Sequence, residues 1–278
     1  LAAAFEAPLA ALAAAGRASP AARLMAADHR LVRADLLALA GATLRERDFI
    51  DHGLREARAV TVLLDPAVEP LTWARAKAAE GAALALLAEL TGEVAAAADA
   101  VDAFAGALEQ VARDHSPLDW ARIQAALGQA LTVLGEGSDN PRAFEQATTC
   151  FDRAELVLKG QPALALRAQA AGGRATALGR QAELTGDLAV LDAAVAAMKT
   201  ELCRIRPAGD PTAWAVAQLN LARLYETRAE ITGRPEGLAA ASVALAAAFD
   251  VFCEQGLRTL TDLADQALER LRTRREAT

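Results

Sequence analysis

The sequence predicts an all-α protein made of stacked helix-turn-helix repeats, and three observations carry that reading. A proline opens a run and a small residue follows eleven positions later in four places: Pro70 with Gly81, Pro117 with Gly128, Pro162 with Gly173 and Pro211 with Ala222. The prolines are 47, 45 and 49 residues apart, and a unit of that size cannot bury its apolar face alone, so the copies share one elongated core. The apolar residues within each copy keep a helical period. Trp120, Gln124, Leu127 and Leu131 recur at i, i+4, i+7 and i+11, and Ala147, Phe151 and Ala154 repeat the pattern after a break. Roughly a quarter of the residues are alanine and only 4% are aromatic, which favours close packing of helices over a strand core rich in Val, Ile and Phe.

The elements follow in order. Residues 1–69 read as a short helix, a longer one over 21–40 and another over 48–64, together a degenerate leading repeat. Four repeats follow over 70–116, 117–161, 162–210 and 211–256. In the second, Gly135, Gly137, Ser138 and Asp139 break the first helix, and Asn140 with Pro141 supplies an N-cap and a proline at the first helical position of the next. Leu90-Thr91-Gly92, Leu184-Thr185-Gly186 and Ile231-Thr232-Gly233 end the first helices of the other copies, glycine giving the left-handed residue that closes a helix. Trp73, Trp120 and Trp214 share the slot three residues after the proline, held by Ala165 in the third copy, and read as packing anchors between repeats. Residues 257–278 read as a cap: Thr259-Leu-Thr-Asp262 resembles a capping box before a helix over 263–274.

Composition excludes several functions. A net charge of −7 and a pI near 5.2 repel nucleic acid and anionic lipid. Cys150, Cys203 and Cys253 fall in helices at wide spacing, His29, His52 and His115 stand apart, and no metal-ligand set forms, so the cysteines read as buried free thiols and no metal or cofactor is expected. Three unframed thiols point to a reducing, cytoplasmic compartment. The Ala and Arg bias, with Lys only at Lys77, Lys159 and Lys199, points to a bacterial source. No run of about 18 uncharged apolar residues suggests membrane insertion. The alanine-rich start carries Glu6 and Pro8 and lacks the basic region of a signal peptide; the chain does not begin with Met, so a preceding segment stays open. Phosphate-loop and nucleophile-elbow motifs are missing, residues 135–139 read as a turn, and no linear constellation marks an enzyme.

Leu127-Gly128 with Leu131, then Ala147, Phe151 and Ala154, is similar to the signature of the tetratricopeptide repeat. The first copy matches through Gly81, Leu84, Ala100, Phe104 and Ala107, the fourth through Leu221, Ala222, Tyr225, Ala241, Leu245 and Ala248, and the third through Gly173, Ala194 and Met198. The resemblance covers residues 70–256, in units about a dozen residues longer than the standard form. It is to the long bacterial variant that opens Pro-x-x-Trp-Ala-x-x-Gln.

This likeness implies a right-handed superhelix of antiparallel helix pairs, whose first helices line a concave groove that holds peptides or partner proteins. Counted from the small-residue slot, the implied groove positions are Arg75, Arg122, Arg167 and Val216, six before, and Ala82, Gln129, Arg174 and Arg223, one after. Ala78, Ala125, Ala170 and Leu219, with Ala85, Thr132, Ala177 and Glu226, would form the floor. Arg75, Arg122, Arg167, Arg174 and Arg223, with Gln129, would then capture carboxylates of an acidic segment through paired hydrogen bonds. The alternative, arginines paired locally with acids of their own chain, stays open. Two functions follow from the same surface: a non-catalytic scaffold for a protein or peptide partner, and a sensory module binding a small peptide or metabolite to control an attached effector domain. Association with a second copy through the last helix also stays open.

Overall fold

A computed structural model describes residues 2–16, 19–160 and 163–276. After a short 3-10 turn (Ala2–Phe5) it contains α1 (Glu6–Gly16), α2 (Pro20–Leu44), α3 (Arg47–Leu63), α4 (Pro70–Thr91), α5 (Val94–Gln110), α6 (Pro117–Ser138), α7 (Pro141–Leu158), α8 (Leu164–Thr185), α9 (Leu188–Arg204), α10 (Pro211–Thr232), α11 (Glu236–Glu254) and α12 (Arg258–Glu276). No strand occurs among the described residues. The protein is an all-α repeat of helix pairs packed in sequence order.

The step between repeats is constant. Helices α4, α6, α8, α10 and α12 open at 70, 117, 164, 211 and 258, each 47 residues after the last, and the first four are each 22 residues long. A left-handed residue closes α2, α4, α6, α8 and α10 at the same step: Arg45 (φ 58°), Gly92 (74°), Asp139 (48°), Gly186 (70°) and Gly233 (64°).

The uneven 45 and 49 of the sequence reading arose in the third copy. Its helix opens at Leu164, and the residue in register with Gly81 is Ala175, not Gly173. Pro162 lies outside the described residues. A proline fits a connection as readily as a first helical position, so it does not mark register by itself. Gly173 faces another way: a Cβ there would stand 2.5 Å from the Phe151 ring of α7.

Three further expectations are corrected. Helix α2 opens at Pro20, three residues ahead of the step, but its left-handed Arg45 and the opening of α3 at Arg47 keep it, so these two helices form a repeat in the same register as the rest. Helix α6 continues through Gly135 and Gly137 and stops at Asp139, although Arg142 N–H does donate to Asn140 Oδ1 as expected of the next N-cap. Helix α12 opens at Arg258, one step after α10, so Thr259–Asp262 lie inside its first turns instead of capping it.

Contacts divide the chain into two compact halves, residues 1–143 and 144–278. In the first, α2 packs on α3, α3 on α4, α4 on α5 and α5 on α6, while α4 also touches α2 and α6. In the second, α8 packs on α9, α9 on α10, α10 on α11 and α11 on α12, and α8 touches α10. Alanine supplies much of the core: Ala27, Ala34, Ala57, Ala76 and Ala79 surround Leu31, Val60 and Leu64, with Trp73 packed against them. In the second half Ala215, Ala222, Ala241, Ala248 and Ala264 surround Leu245, Phe252 and Leu271, with Trp214 alongside.

Small residues let the helices approach closely. A Cβ on Gly53 of α3 would lie 2.6 Å from the Ala34 carbonyl oxygen of α2, where only backbone movement gives room. Helix α11 is the one described helix long and apolar enough to cross a membrane, and its Leu238, Ala241, Leu245, Ala248 and Phe252 belong to the core of its half. Of the cysteines only Cys150 is buried; Cys203 and Cys253 are exposed, because each falls on the outward side of its helix.

Two opposite outcomes are expected in urea unfolding. Gly53→Ala should destabilise by more than about 2 kcal/mol, the cost of overpacking against backbone. Arg45→Gly should stabilise by about 0.5–1 kcal/mol, since the left-handed conformation costs an L-residue about 1–2 kcal/mol and glycine's greater unfolded-state freedom returns part of it.

Candidate functional site

The constant step brings equivalent positions of successive first helices side by side, so the first-helix face of each half is a surface of repeated slots. In residues 1–143 this face holds a hollow of about 450 Å³ between α2, α4 and α6. Its floor is apolar and mostly small: Leu31 and Val32 of α2, Ala78, Ala79 and Ala82 of α4, Ile123 and Ala126 of α6. Asp28, Asp35, Arg75, Asp119 and Arg122 stand around it, three carboxylates against two guanidinium groups.

Both predicted arginines of this half converge on one acid. Arg75 holds Asp119 with two nitrogens, Nη2 at 2.9 Å and Nε at 3.3 Å, Ser116 Oγ donates to the same carboxylate at 2.6 Å, and Arg122 Nη1 lies 3.5 Å away. Burial alone would raise the pKa of Asp119, but the hydrogen bonds from Arg75 and Ser116 and the charges of both arginines outweigh it and hold it below the ordinary carboxylate value. Across the hollow, Asp28 and Asp35 accept no hydrogen bond and make no ion pair among the described residues. Burial pushes the Asp35 carboxyl up, with the charge of Arg122 working the other way. Gln129 is exposed on α6, in register with Asp35 and Ala82.

In residues 144–278 the matching face forms a polar hollow of about 510 Å³ between α8, α10 and α12. Arg180, Arg223, Arg270 and Arg274 line it with Glu183, Glu226 and Glu230. Arg180 donates to Glu183 at 2.7 Å, Thr227 donates to Glu183 at 2.7 Å, and Arg274 donates to Glu230 at 2.5 Å. Burial raises the pKa of Glu226, with Arg270, Arg274 and Arg223 opposing it. Arg223 therefore lies on the first-helix face of this half, beside three arginines that the sequence reading did not single out.

Arg167 and Arg174 are not on this face. With the third repeat in register, Arg167 takes the tryptophan slot of Trp73, Trp120 and Trp214, and its Nε lies 3.6 Å from Glu201 Oε1 of α9. Glu201, with a side chain only 6% exposed, stands where the other repeats bury Val60, Ala107, Ala154 and Ala248, and Arg204 donates to it at 3.4 Å. Arg174 faces α7, with Nε 2.6 Å from Asp152 Oδ1. One repeat pair earlier the same two slots hold Glu80 and Arg58, joined at 2.8 Å with the charges exchanged. Arg167 holds the two helices of its own repeat together, and Arg174 holds that repeat to the one before it. The expected floor is likewise split: Ala78 and Ala85 are half-buried, whereas Ala125, Thr132, Ala170, Ala177 and Leu219 are buried between helices.

The remaining chemistry is sparse. No group of three metal-ligating side chains occurs among the described residues. His29 Nδ1 lies 2.9 Å from the Met25 carbonyl oxygen, and His52 is 4.0 Å from Glu56. Burial pushes the Cys150 thiol up to about 11, so it stays protonated at neutral pH and is a poor nucleophile. No protein-family model matches this chain, and no curated protein matches it. What the sequence missed, Asp28, Asp35, Arg180, Arg270 and Arg274, is found by aligning the repeats at a strict 47-residue step.

Exchanging Arg167→Trp and Glu201→Ala together restores the pattern of the other repeats. Arg167→Trp alone should cost about 3 kcal/mol by leaving Glu201 buried with less compensation, and the double variant should recover that loss, because apolar replacement of a buried ion pair is often neutral or favourable. Thermal unfolding of the four-member cycle checks this. For Asp119 the folded pKa is lowered, so its contribution is present above the unfolded carboxylate value and disappears as pH falls through the folded one. In Arg75→Met the Asp119 carboxyl should titrate at higher pH by NMR, and acid unfolding should begin earlier.

Proposed function

We propose that this protein is a non-catalytic scaffold of the tetratricopeptide type that holds a protein or peptide partner on its first-helix faces. The acidic segment expected from the sequence is assigned to the face of residues 144–278. The observation that carries this reading is the convergence of Arg180, Arg223, Arg270 and Arg274 from three successive first helices on one open hollow, four cations against three carboxylates. Guanidinium groups of this kind hold carboxylates through paired hydrogen bonds, each worth roughly 1.5–3 kcal/mol net. Arg75 and Arg122 take a lesser part, since in their hollow two guanidinium groups stand with three carboxylates.

A second reading is supported by the hollow of residues 1–143. Its volume of about 450 Å³ falls within the roughly 300–1,000 Å³ of small-ligand pockets, which suits a sensory module for a small peptide or metabolite. Native mass spectrometry of the purified protein separates the two readings: a retained small molecule favours the second, and a stoichiometric polypeptide the first.

Selection of displayed random peptides on the whole chain tests the acidic-segment assignment. Enrichment of Asp and Glu is expected, and Arg223→Glu with Arg270→Glu should weaken the selected peptides by about tenfold to a hundredfold with little change in melting temperature. Peptides without acidic enrichment, or indifferent to that double variant, would contradict the assignment.

A further inference from the structure

We propose that the tryptophan slot of the third repeat, where Arg167 stands, is a binding site for a small aromatic carboxylate. Trp73, Trp120 and Trp214 hold this slot in their own repeats, and Trp73 and Trp214 pack there against the cores of their halves. In the third repeat Arg167 takes their place, and its Nε is directed to Glu201 Oε1 at 3.6 Å. A guanidinium drawn to one side does not fill the volume of an indole. A hollow of about 420 Å³ lies beside it, within residues 144–278, and that volume falls in the roughly 300–1,000 Å³ range of small-ligand sites.

Three helices line the hollow: α7 with Asp152, Glu155, Leu156 and Lys159, α8 with Arg167, and α9 with Arg204. Leu156 is 65% exposed and offers a ring an apolar wall. Asp152 is held by Arg174 at 2.6 Å. Arg167 and Arg204 share Glu201 through contacts of 3.6 and 3.4 Å, both longer than the roughly 2.7–2.9 Å of a good charge-assisted hydrogen bond. Arg167 Nε and Glu201 Oε1 are buried without a hydrogen-bond partner. Lys159 is exposed and makes no ion pair among the described residues.

Orphaned buried donors are rare in native folds and call for an explanation. A carboxylate entering between Lys159 and the two guanidinium groups brings acceptor oxygens that Glu201 alone supplies poorly, while Glu201 keeps both arginines in place. With Arg174 and Glu201 counted beside the lining residues, four cations (Lys159, Arg167, Arg174 and Arg204) stand with three carboxylates (Asp152, Glu155 and Glu201). One negative charge balances such a site, so a carboxylate suits it better than a phosphate dianion. The ring takes the place that an indole has in the other repeats. Because α7 and α9 belong to successive repeats, the bound ligand ties the two together. This site goes beyond partner docking on the first-helix faces, since most of its lining comes from second helices.

N-acetyltryptophan, which carries one indole and one carboxylate, serves as the probe, titrated calorimetrically into the whole chain. It should bind with a Kd of about 0.1 mM and raise the melting temperature. N-acetyltryptophanamide, which lacks the charge, and N-acetylalanine, which lacks the ring, should each bind at least about tenfold more weakly. Lys159→Glu, a change at an exposed position, should weaken the probe at least about tenfold without altering the melting temperature of the free protein. Arg167→Trp with Glu201→Ala, which fills the slot with the chain's own indole, should abolish binding. Arg153→Glu, on α7 outside the hollow, should leave it unchanged. Absence of binding, equal binding of the amide, indifference to Lys159→Glu, or an equal loss with Arg153→Glu would each overturn the proposal. Arg223→Glu with Arg270→Glu should not weaken the probe, so this site and the acidic-segment assignment can fail independently.

Discussion

Helices that meet through alanine and glycine come closer than helices that meet through leucine, and the rest of this structure depends on that approach. At Gly53 the gap between α2 and α3 admits no Cβ, and Ala57, Ala74, Ala100, Ala107, Ala147 and Ala154 are all fully buried at helix contacts. Close contact leaves little freedom for helices to slide, because interiors are packed at the density of crystals. A fixed separation repeated along the chain favours one length of unit: from α4 onward each first helix opens 47 residues after its predecessor, and α2, α4, α6, α8 and α10 each end on a left-handed residue.

Charge acts within this register in two ways. Between repeats it selects neighbours: Arg58 with Glu80 and Asp152 with Arg174 occupy equivalent slots with the signs exchanged, so a repeat docked out of order would bring like charges together. The Arg167 and Glu201 pair, in place of a tryptophan and an apolar residue, makes the third repeat unlike the others in the same manner. Partly exposed pairs such as Arg58 with Glu80 and Arg174 with Asp152 add little stability, so their effect is on which neighbour fits. The hollows on the first-helix faces differ in composition, three carboxylates with two guanidinium groups in residues 1–143 and three carboxylates with four guanidinium groups in residues 144–278.

The fold was largely legible in the sequence because helical periodicity and the glycines that end helices are local signals. Gly92, Gly186 and Gly233 are left-handed as their positions require; Asp139 was read only as one of four residues in a break, and Arg45, which does the same work without glycine, left no signal. The site was legible only in part. Arg75, Arg122, Gln129 and Arg223 lie on the first-helix faces, but Arg167 and Arg174 do not. Following Pro162 displaced the third repeat by two residues, and on a helix that is a rotation of roughly 200°, enough to turn a core-facing arginine into an apparent surface one. The engagement of Arg75 by Asp119 depends on a contact 44 residues away, which no local pattern reports.

The central claim is that a strict 47-residue register decides which charges are committed between helices and which face outward. Carboxyl labelling with a water-soluble carbodiimide and an amine, read by mass spectrometry, measures that division across the chain at once. The account predicts slow labelling of Glu80, Asp119 and Glu201 and fast labelling of Asp28 and Glu89. Fast labelling of Glu201, or protection of Asp28 and Glu89 in the free protein, would contradict it.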